Sequence, residues 1–169
     1  MIPLIVIISC MNFYRLLSRT FSILAPTALL LALPGIHSLA APTDPWTSVQ
    51  TISPADFAKE LQKKDSSLKI VYVGVHTLYA GAHIPGAVFH GPGSKEEGIA
   101  DLKKFATTLP KDSNIVIYCG CCPLDRCPNL RPAFSALRDM SFTHLRVLML
   151  PTSFAADWVE KGYPTEKGF

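Results

Sequence analysis

Apolar residues occur along the chain in short, nearly continuous runs that alternate with longer stretches of helical spacing. The runs lie at residues 68–75, 87–89, 114–118 and 145–150. Continuous apolar runs of this length are typical of strands that are buried on both faces of a parallel sheet. The sequence therefore predicts strands at these four positions.

The stretches between the runs have the spacing and the boundary residues of helices. Ser53, Pro54 and Asp56 form a helix start, in which Ser53 is the N-cap and the acidic residue lies in the first turn. Residues 76–93 are predicted to be mostly turns. Further helices are predicted at 94–109, with Ser94 as the cap, at 130–140 and at 154–161. Strands that alternate with helices favour a parallel sheet covered on both faces.

The first forty residues have the pattern of an export signal. Arg15 and Arg19 precede a short apolar stretch at 21–33, and Ser38 and Ala40 are small residues that allow cleavage after Ala40. Pro26 interrupts this stretch and Pro34 follows it, and the stretch is also too short for a comfortable membrane span. The sequence therefore predicts a signal peptide, export to the periplasm or the medium, and no membrane partner after cleavage.

The chain divides at this predicted cleavage site. Met11 is a better start for the signal than Met1, so we regard Met11 as a candidate true start within the segment 1–40. Residues 41–50 form a Pro-containing lead-in. Residues 51–166 then form one predicted domain.

Composition and charge exclude some classes of partner. Hydrophobic residues make up 49% of the 169 residues, which is enough for one buried core. Removing Arg15 and Arg19 with the signal reduces the 16 basic residues to 14, against 13 acidic ones, so the net charge falls from +3 to +1. This balance gives no reason to expect nucleic acid or an anionic membrane as a partner.

Four cysteines lie within nine positions directly after the predicted strand 114–118. Ligands of parallel sheets bind beyond the carboxyl ends of the strands, where Cys119 lies. A reactive cysteine needs a lowered pKa, which inward-facing amides before a helix starting near Asn129 would provide. Arg126 and Arg131 add positive charge suited to an oxyanion. Cys119 is therefore the candidate nucleophile.

Four segments resemble, in the same order, the motifs of rhodanese-like sulfurtransferase domains. Residues 81–87 are similar to the family's G-H-I-P-G-A segment, and 115–119 to the strand that ends in the active cysteine. Residues 136–142 resemble the helix that ends in a Gly-Phe step, and 158–164 the closing W-x-x-x-G-[YF]-P motif. The resemblance implies an α/β, rhodanese-like three-layer fold, with a mostly parallel five-stranded sheet and helices on both faces.

The resemblance also implies an activity, namely sulfane-sulfur transfer of the thiosulfate or polysulfide type. Cys119 would take sulfur from a small sulfur-containing anion, hold it as a persulfide and pass it to a thiol or a cyanide-like acceptor. No cofactor is implied. The candidate substrate-binding residues are Gly120, Cys121, Cys122, Arg126 and Arg131.

Two features depart from the family pattern. The family's usual Asp-x-Arg pair after the second strand is replaced by residues 74–76, which read Gly-Val-His. The active loop is enlarged, because Arg126 follows Cys119 by seven positions instead of about five, and the loop holds three further cysteines.

The further cysteines leave alternatives open. Cys121, Cys122 or Cys127 could resolve a persulfide on Cys119, or Cys127 could form a disulfide with one of the other two. Four cysteines also suit a thiolate metal site by number, but their spacing is unlike that of zinc ribbons or knuckles, so no metal is predicted. The rival functions are a non-catalytic rhodanese-like binding module and a thiol–disulfide oxidoreductase.

Overall fold

The computed structural model of the chain describes residues 43–168, which contain a parallel sheet between two layers of helices. The strands are β1 (Thr51–Ile52), β2 (Leu68–Tyr72), β3 (Ala87–Phe89), β4 (Asn114–Tyr118) and β5 (Leu145–Leu148). The helices are α1 (Pro54–Leu61), α2 (His76–Gly81), α3 (Glu96–Ala106) and α4 (Leu130–Asp139). Short turns of 3₁₀-helix cover Ser48–Gln50 and Leu124–Arg126, and a single π-helical turn covers Ala155–Val159.

All five strands run parallel in the order β1-β5-β4-β2-β3. Each face of the sheet has its own core, because strands buried on both sides present apolar residues alternately to the two faces. Phe57 of α1, Tyr79 of α2 and Trp158 of the π-helical turn pack on one face. Leu102 of α3 and Phe134 of α4 pack on the other. The predicted three-layer α/β architecture is confirmed.

The helix start at Ser53 is as predicted, since its hydroxyl accepts the backbone N–H of Asp56 at 3.2 Å. The cap predicted at Ser94 is wrong: α3 begins at Glu96, and the backbone N–H of Ser94 donates to the side-chain oxygen of Asn129 at 3.0 Å. The segment predicted as turns contains the helix α2. The lead-in contributes to the core through Trp46, which packs edge-on against Phe134.

The sheet brings two loops to one edge. Strands β2 and β4 are neighbours, and their last residues, Tyr72 and Tyr118, lie opposite each other. The backbone N–H of Val73 extends the ladder by donating to the carbonyl of Tyr118 at 2.9 Å. The segment that follows β2 and the loop of cysteines that follows β4 therefore leave the sheet side by side.

The predicted signal peptide at residues 1–40 lies outside the described residues and stays a prediction. The helices between residues 43 and 168 include none with the length and the apolar character needed to span a lipid bilayer.

Candidate active site

Cys119 occupies the position directly after the last residue of β4 and is fully buried. Its sulfur lies 3.1 Å from the sulfur of Cys121, which in turn lies 3.3 Å from that of Cys122. Cys127 is also buried, and all four cysteines are free thiols. The half-buried side chain of Cys121 therefore stands between Cys119 and the outside of the protein.

The backbone amides at the start of α4 point at Cys127 rather than at Cys119. The neighbouring Cys119 and the backbone N–H groups of Asn129 and Leu130 hold the pKa of Cys127 below the usual range of a cysteine, although burial acts against them. The neighbouring Cys127 sulfur and burial raise the pKa of Cys119, whose thiol donates to the sulfur of Cys121. In the resting site the negative charge is therefore favoured on Cys127 over Cys119, and the role of Cys119 as the nucleophile stays a prediction.

Asn129 holds the thiol cluster together and was not singled out from the sequence. Its side-chain NH2 group donates to the sulfur of Cys119 at 3.4 Å and to that of Cys121 at 3.6 Å. The bond from Ser94 to the amide oxygen fixes the orientation of this side chain. Asn129 is the N-cap residue of α4, but its side chain makes no capping bond. Its position before a helix is visible in the sequence, whereas its contact with sulfur is not.

Tyr72 places a hydroxyl next to the thiols. A Cβ atom built on Gly74 would lie 2.5 Å from the Tyr72 hydroxyl oxygen and 2.9 Å from the Cys119 sulfur, so these two atoms share the space that a side chain at position 74 would fill. Among the residues described, the hydroxyl has no hydrogen-bond partner although it is buried. Burial raises the pKa of Tyr72, so the group stays protonated and is a donor available to a sulfur anion.

A pocket of about 330 Å³ opens beside Cys121. It lies between α2 and the cysteine loop. Gly120 lines it with a φ of +73°, and a side chain there would collide with Phe154, whose backbone N–H donates to the Gly120 carbonyl at 2.9 Å. Leu78 and Val159 form its outer walls.

The other predicted substrate-binding residues lie elsewhere. The side chain of Arg126 is 77% exposed beside Asp125. Arg131 forms an ion pair with Asp44 at 2.7 Å and donates to the carbonyl of Cys127 at 3.3 Å, so it holds the loop in place. Both arginines line a separate open depression on the side of Cys127. Cys122 lines neither cavity, and burial raises its pKa to about 12.

The cluster has the donor set of a site for a thiophilic metal. The sulfurs of Cys119, Cys121 and Cys127 all lie within 4.8 Å of one another. Three or four thiolates suit Zn(II) or Cu(I), whose bonds to sulfur are about 2.3 Å long for zinc. The enlarged loop thus gathers its sulfurs more closely than the spacing of the cysteines indicated.

No family model matches the chain, and no curated protein matches it. Solved structures do. The rhodanese-like domain of a protein from Anabaena sp. is 23% identical, with a TM-score of 0.52 over 70% of this chain and 79% of that one. A thiosulfate sulfurtransferase from Pseudomonas aeruginosa is 22% identical, with a TM-score of 0.52 over 75% of this chain but only 21% of that one.

A third similar structure is a protein of unknown function from Rhodopseudomonas palustris, described as a possible tyrosine phosphatase. It is 18% identical, with a TM-score of 0.52 over 69% of this chain and 84% of that one. Together with the sheet order and the strand-end cysteine, these similarities define the class: the chain has the rhodanese-like fold. The resemblance to rhodanese-like domains drawn from four sequence motifs is thereby confirmed at the level of the fold.

Proposed function

We propose that the protein is a sulfane-sulfur transferase in which Cys121 exchanges sulfur with molecules in the pocket and Cys119 holds it as a persulfide. The observation that carries the proposal is the 3.1 Å contact between the two sulfurs, one fully buried at the end of β4 and the other lining a pocket. A nucleophilic thiol with a second thiol in direct contact can pass sulfur inward without moving the backbone.

The chemistry balances without a cofactor. The Cys121 thiol releases its proton to solvent in the pocket and attacks the sulfane sulfur of the donor as a thiolate. A sulfur–sulfur bond forms, and the donor's bond to its leaving group breaks, with the electron pair going to that group. The Cys119 thiol then gives its proton to the Cys127 thiolate, whose sulfur lies within 4.8 Å, attacks the outer sulfur and releases the Cys121 thiolate. An acceptor thiol or cyanide receives the sulfur by the reverse route.

Buried donors support the holding role of Cys119. The amide of Asn129 reaches both sulfurs, the backbone N–H of Cys121 donates to the Cys119 sulfur, and the Tyr72 hydroxyl lies next to the same sulfur. Hydrogen bonds to an anion in a buried site are stronger than those to a neutral group, so a persulfide anion gains more from these donors than a thiol does.

Variants of the two cysteines test the proposal. The purified protein is incubated with thiosulfate or polysulfide, and transfer to cyanide is followed as thiocyanate. We expect Cys119→Ser and Cys121→Ser to lower the rate on the order of a hundredfold or more, as losing a nucleophile does. Peptide mass analysis should place an added sulfur on Cys119 in the wild type, on Cys121 in Cys119→Ser, and on neither position in Cys121→Ser.

Three outcomes contradict the proposal in different ways. Full activity of Cys119→Ser means that Cys119 is not the holding thiol. Full activity of Cys121→Ser means that donors reach Cys119 by another route. A loss of two hydrogens without any gain of sulfur indicates a thiol–disulfide oxidoreductase instead.

The proposal extends to location. The pattern of residues 1–40 supports export, and thiols this close would meet an oxidising environment outside the cytoplasm. The intact mass of the protein recovered from the periplasm or the medium should correspond to a chain that begins at Ala41. A mass that retains residues 11–40 would overturn the proposed cleavage.

Binding of a thiophilic metal is the second candidate function, and the convergence of three sulfurs within 4.8 Å favours it. Protein purified under reducing conditions is analysed for zinc and copper, with Cys127→Ser as the comparison. One tightly held metal ion in the wild type, lost in the variant, together with no sulfur transfer after chelation, would replace the transferase by a metal-binding module. A metal-free protein that accepts sulfur excludes this alternative.

A further inference from the structure

The pocket beside Cys121 is apolar, and this has consequences for the molecules that reach the thiol. Leu78 and Ala82 of the α2 segment form one wall, while Phe154 and Val159 form the other. Of the described residues that line the pocket, none is charged. Leu78 and Val159 remain 47% and 40% exposed at the rim, so apolar surface is available to a bound molecule.

The two arginines of the cysteine loop do not line this pocket. Arg126 and Arg131 line the depression next to Cys127, whose own side chain is 2% exposed, and Arg131 is already paired with Asp44. A dianion attracted to that depression would meet no exposed thiol there. Among the cysteines of the described chain that line a pocket, Cys121 is the one whose side chain is only half-buried, and its pocket offers a dianion no opposite charge.

A single buried donor completes the pocket. Tyr72 also lines it and is 1% exposed, and within residues 43–168 its hydroxyl has no partner. A buried hydroxyl without a partner is unfavourable in the empty site, so it is available to a group on a bound molecule. An apolar body with one acceptor atom next to Cys121 would satisfy both the walls and this donor.

We propose that the pocket selects organic sulfane-sulfur donors that carry a small apolar group and disfavours thiosulfate. This inference rests on the proposed transferase function and names its donor class. Two donors that transfer the same sulfur atom but differ in their leaving group test this preference. Thiosulfate gives up its sulfane sulfur with sulfite as the leaving group, and benzenethiosulfonate does so with benzenesulfinate, so the same bond forms on Cys121 in both reactions.

The experiment compares kcat/KM for the two donors in the wild type and in two variants of matched residue type. Val159→Ala removes part of the pocket wall, whereas Val88→Ala changes a valine of similar exposure, 37%, on β3 outside this pocket. We expect wild-type kcat/KM to be about tenfold or more higher for benzenethiosulfonate. Val159→Ala should lower that value roughly three- to tenfold through KM and affect thiosulfate less, so that the ratio of the two kcat/KM values falls, since only the aryl group needs the apolar wall. Val88→Ala should change neither.

A binding measurement separates failure of this inference from failure of the transferase function. Benzenesulfonate and sulfate carry no sulfane sulfur, and their binding is followed by NMR at the methyl groups of Leu78 and Val159. If benzenesulfonate shifts these methyl signals and sulfate does not, but neither donor transfers sulfur, the preference of the pocket is supported and the transferase function is contradicted. Transfer that favours thiosulfate, or equal effects of Val159→Ala and Val88→Ala, would overturn the inference and leave the function standing.

Discussion

Tyr72 and Tyr118 end neighbouring strands, but their hydroxyl groups have opposite roles. The Tyr118 hydroxyl accepts a hydrogen bond from the buried backbone N–H of Ile84 at 3.0 Å, so its role is structural. Tyr72 has no such partner among the described residues and lies beside the Cys119 sulfur. A polar group that is buried without a partner costs stability, which is the pattern expected of a group kept for function.

Tyr72→Phe and Tyr118→Phe should therefore change stability in opposite directions. Removing the unpaired hydroxyl of Tyr72 should raise the free energy of unfolding by about 1 kcal/mol and lower sulfur transfer roughly tenfold. Removing that of Tyr118 leaves the Ile84 N–H unpaired and should lower the free energy of unfolding by about 1–3 kcal/mol. Denaturant unfolding and transfer kinetics measure both effects. An unchanged rate of sulfur transfer in Tyr72→Phe would show that the Tyr72 hydroxyl has no role in the reaction.

Asn129→Asp tests the amide that contacts two sulfurs. The substitution keeps the oxygen that accepts the Ser94 N–H but replaces the donor by a negative charge beside Cys119 and Cys121. We expect transfer to fall roughly tenfold or more, because the carboxylate repels the sulfur anion. Asn114→Asp, at the far end of β4, keeps an acceptor for Arg146 and should retain the wild-type rate. Equal rates in the two variants would contradict the role of Asn129.

At the scale of single residues the sequence predicted the position of Cys119, because the end of an apolar strand is a local signal. It did not predict that the amides of α4 point at Cys127, since loop conformation decides which sulfur they reach. It also missed Tyr72, which is indistinguishable in sequence from any apolar strand residue. Gly74 was noted as a departure from the family pattern, but its use, to leave room for a hydroxyl and a sulfur, depends on tertiary packing.

Among the elements, the strands β2 to β5 and α1 were predictable, whereas β1, α2 and the start of α3 were not. The two residues of β1 are too few to form an apolar run in the sequence. Continuous apolar runs identify buried strands directly, and Ser53 caps α1 within its own segment. The glycine, alanine and histidine residues of α2 resemble a turn, and packing of Tyr79 on the sheet stabilises the helix instead. Ser94 lost its predicted capping role because its amide is used by Asn129 of a distant element.

The contact between α1 and β5 has a pH dependence that can be measured. Two nitrogens of Arg146 donate to the carboxylate of Glu60, and these hydrogen bonds hold the Glu60 pKa below its usual value although partial burial acts against them. A carboxyl whose pKa is lower in the folded state stabilises the fold above its unfolded pKa. That contribution is lost as the pH falls through the folded pKa.

Glu60→Gln should therefore lower the free energy of unfolding by about 1–2 kcal/mol at pH 7. The difference from the wild type should shrink as the pH falls below about 4.3, the ordinary pKa of Glu. Urea unfolding at a series of pH values measures this, with Glu160→Gln at an exposed position as the control. A difference that stays constant down to pH 3 would show that Glu60 acts through packing instead.

For the whole molecule, the order of four short motifs predicted the fold, although no single motif did. The alternation of strands and helices is enough for a parallel sheet, and the resemblance adds the number of strands. The pocket could not be predicted, because Leu78, Phe154 and Val159 come from segments far apart in sequence and meet only through the sheet order.

Native-state alkylation checks the arrangement of the thiols in the intact protein. Iodoacetamide applied in a short pulse should modify the half-buried Cys121 readily, Cys122 more slowly because its pKa is raised, and the buried Cys119 and Cys127 least. In denaturant all four should react at similar rates. Peptide mass analysis gives the modified fraction at each position. Rapid native modification of Cys119 would mean that Cys121 does not shield it.

The ion pair between Arg131 and Asp44 has a practical consequence for anyone who produces the protein. Asp44 and Trp46 follow the predicted cleavage site within a few residues, yet they hold the first turn of the helix that carries the cysteine loop. An affinity tag fused directly at residue 41, or a shortened chain that starts at Thr51, would therefore disturb the thiols, although the change lies far from them in the sequence.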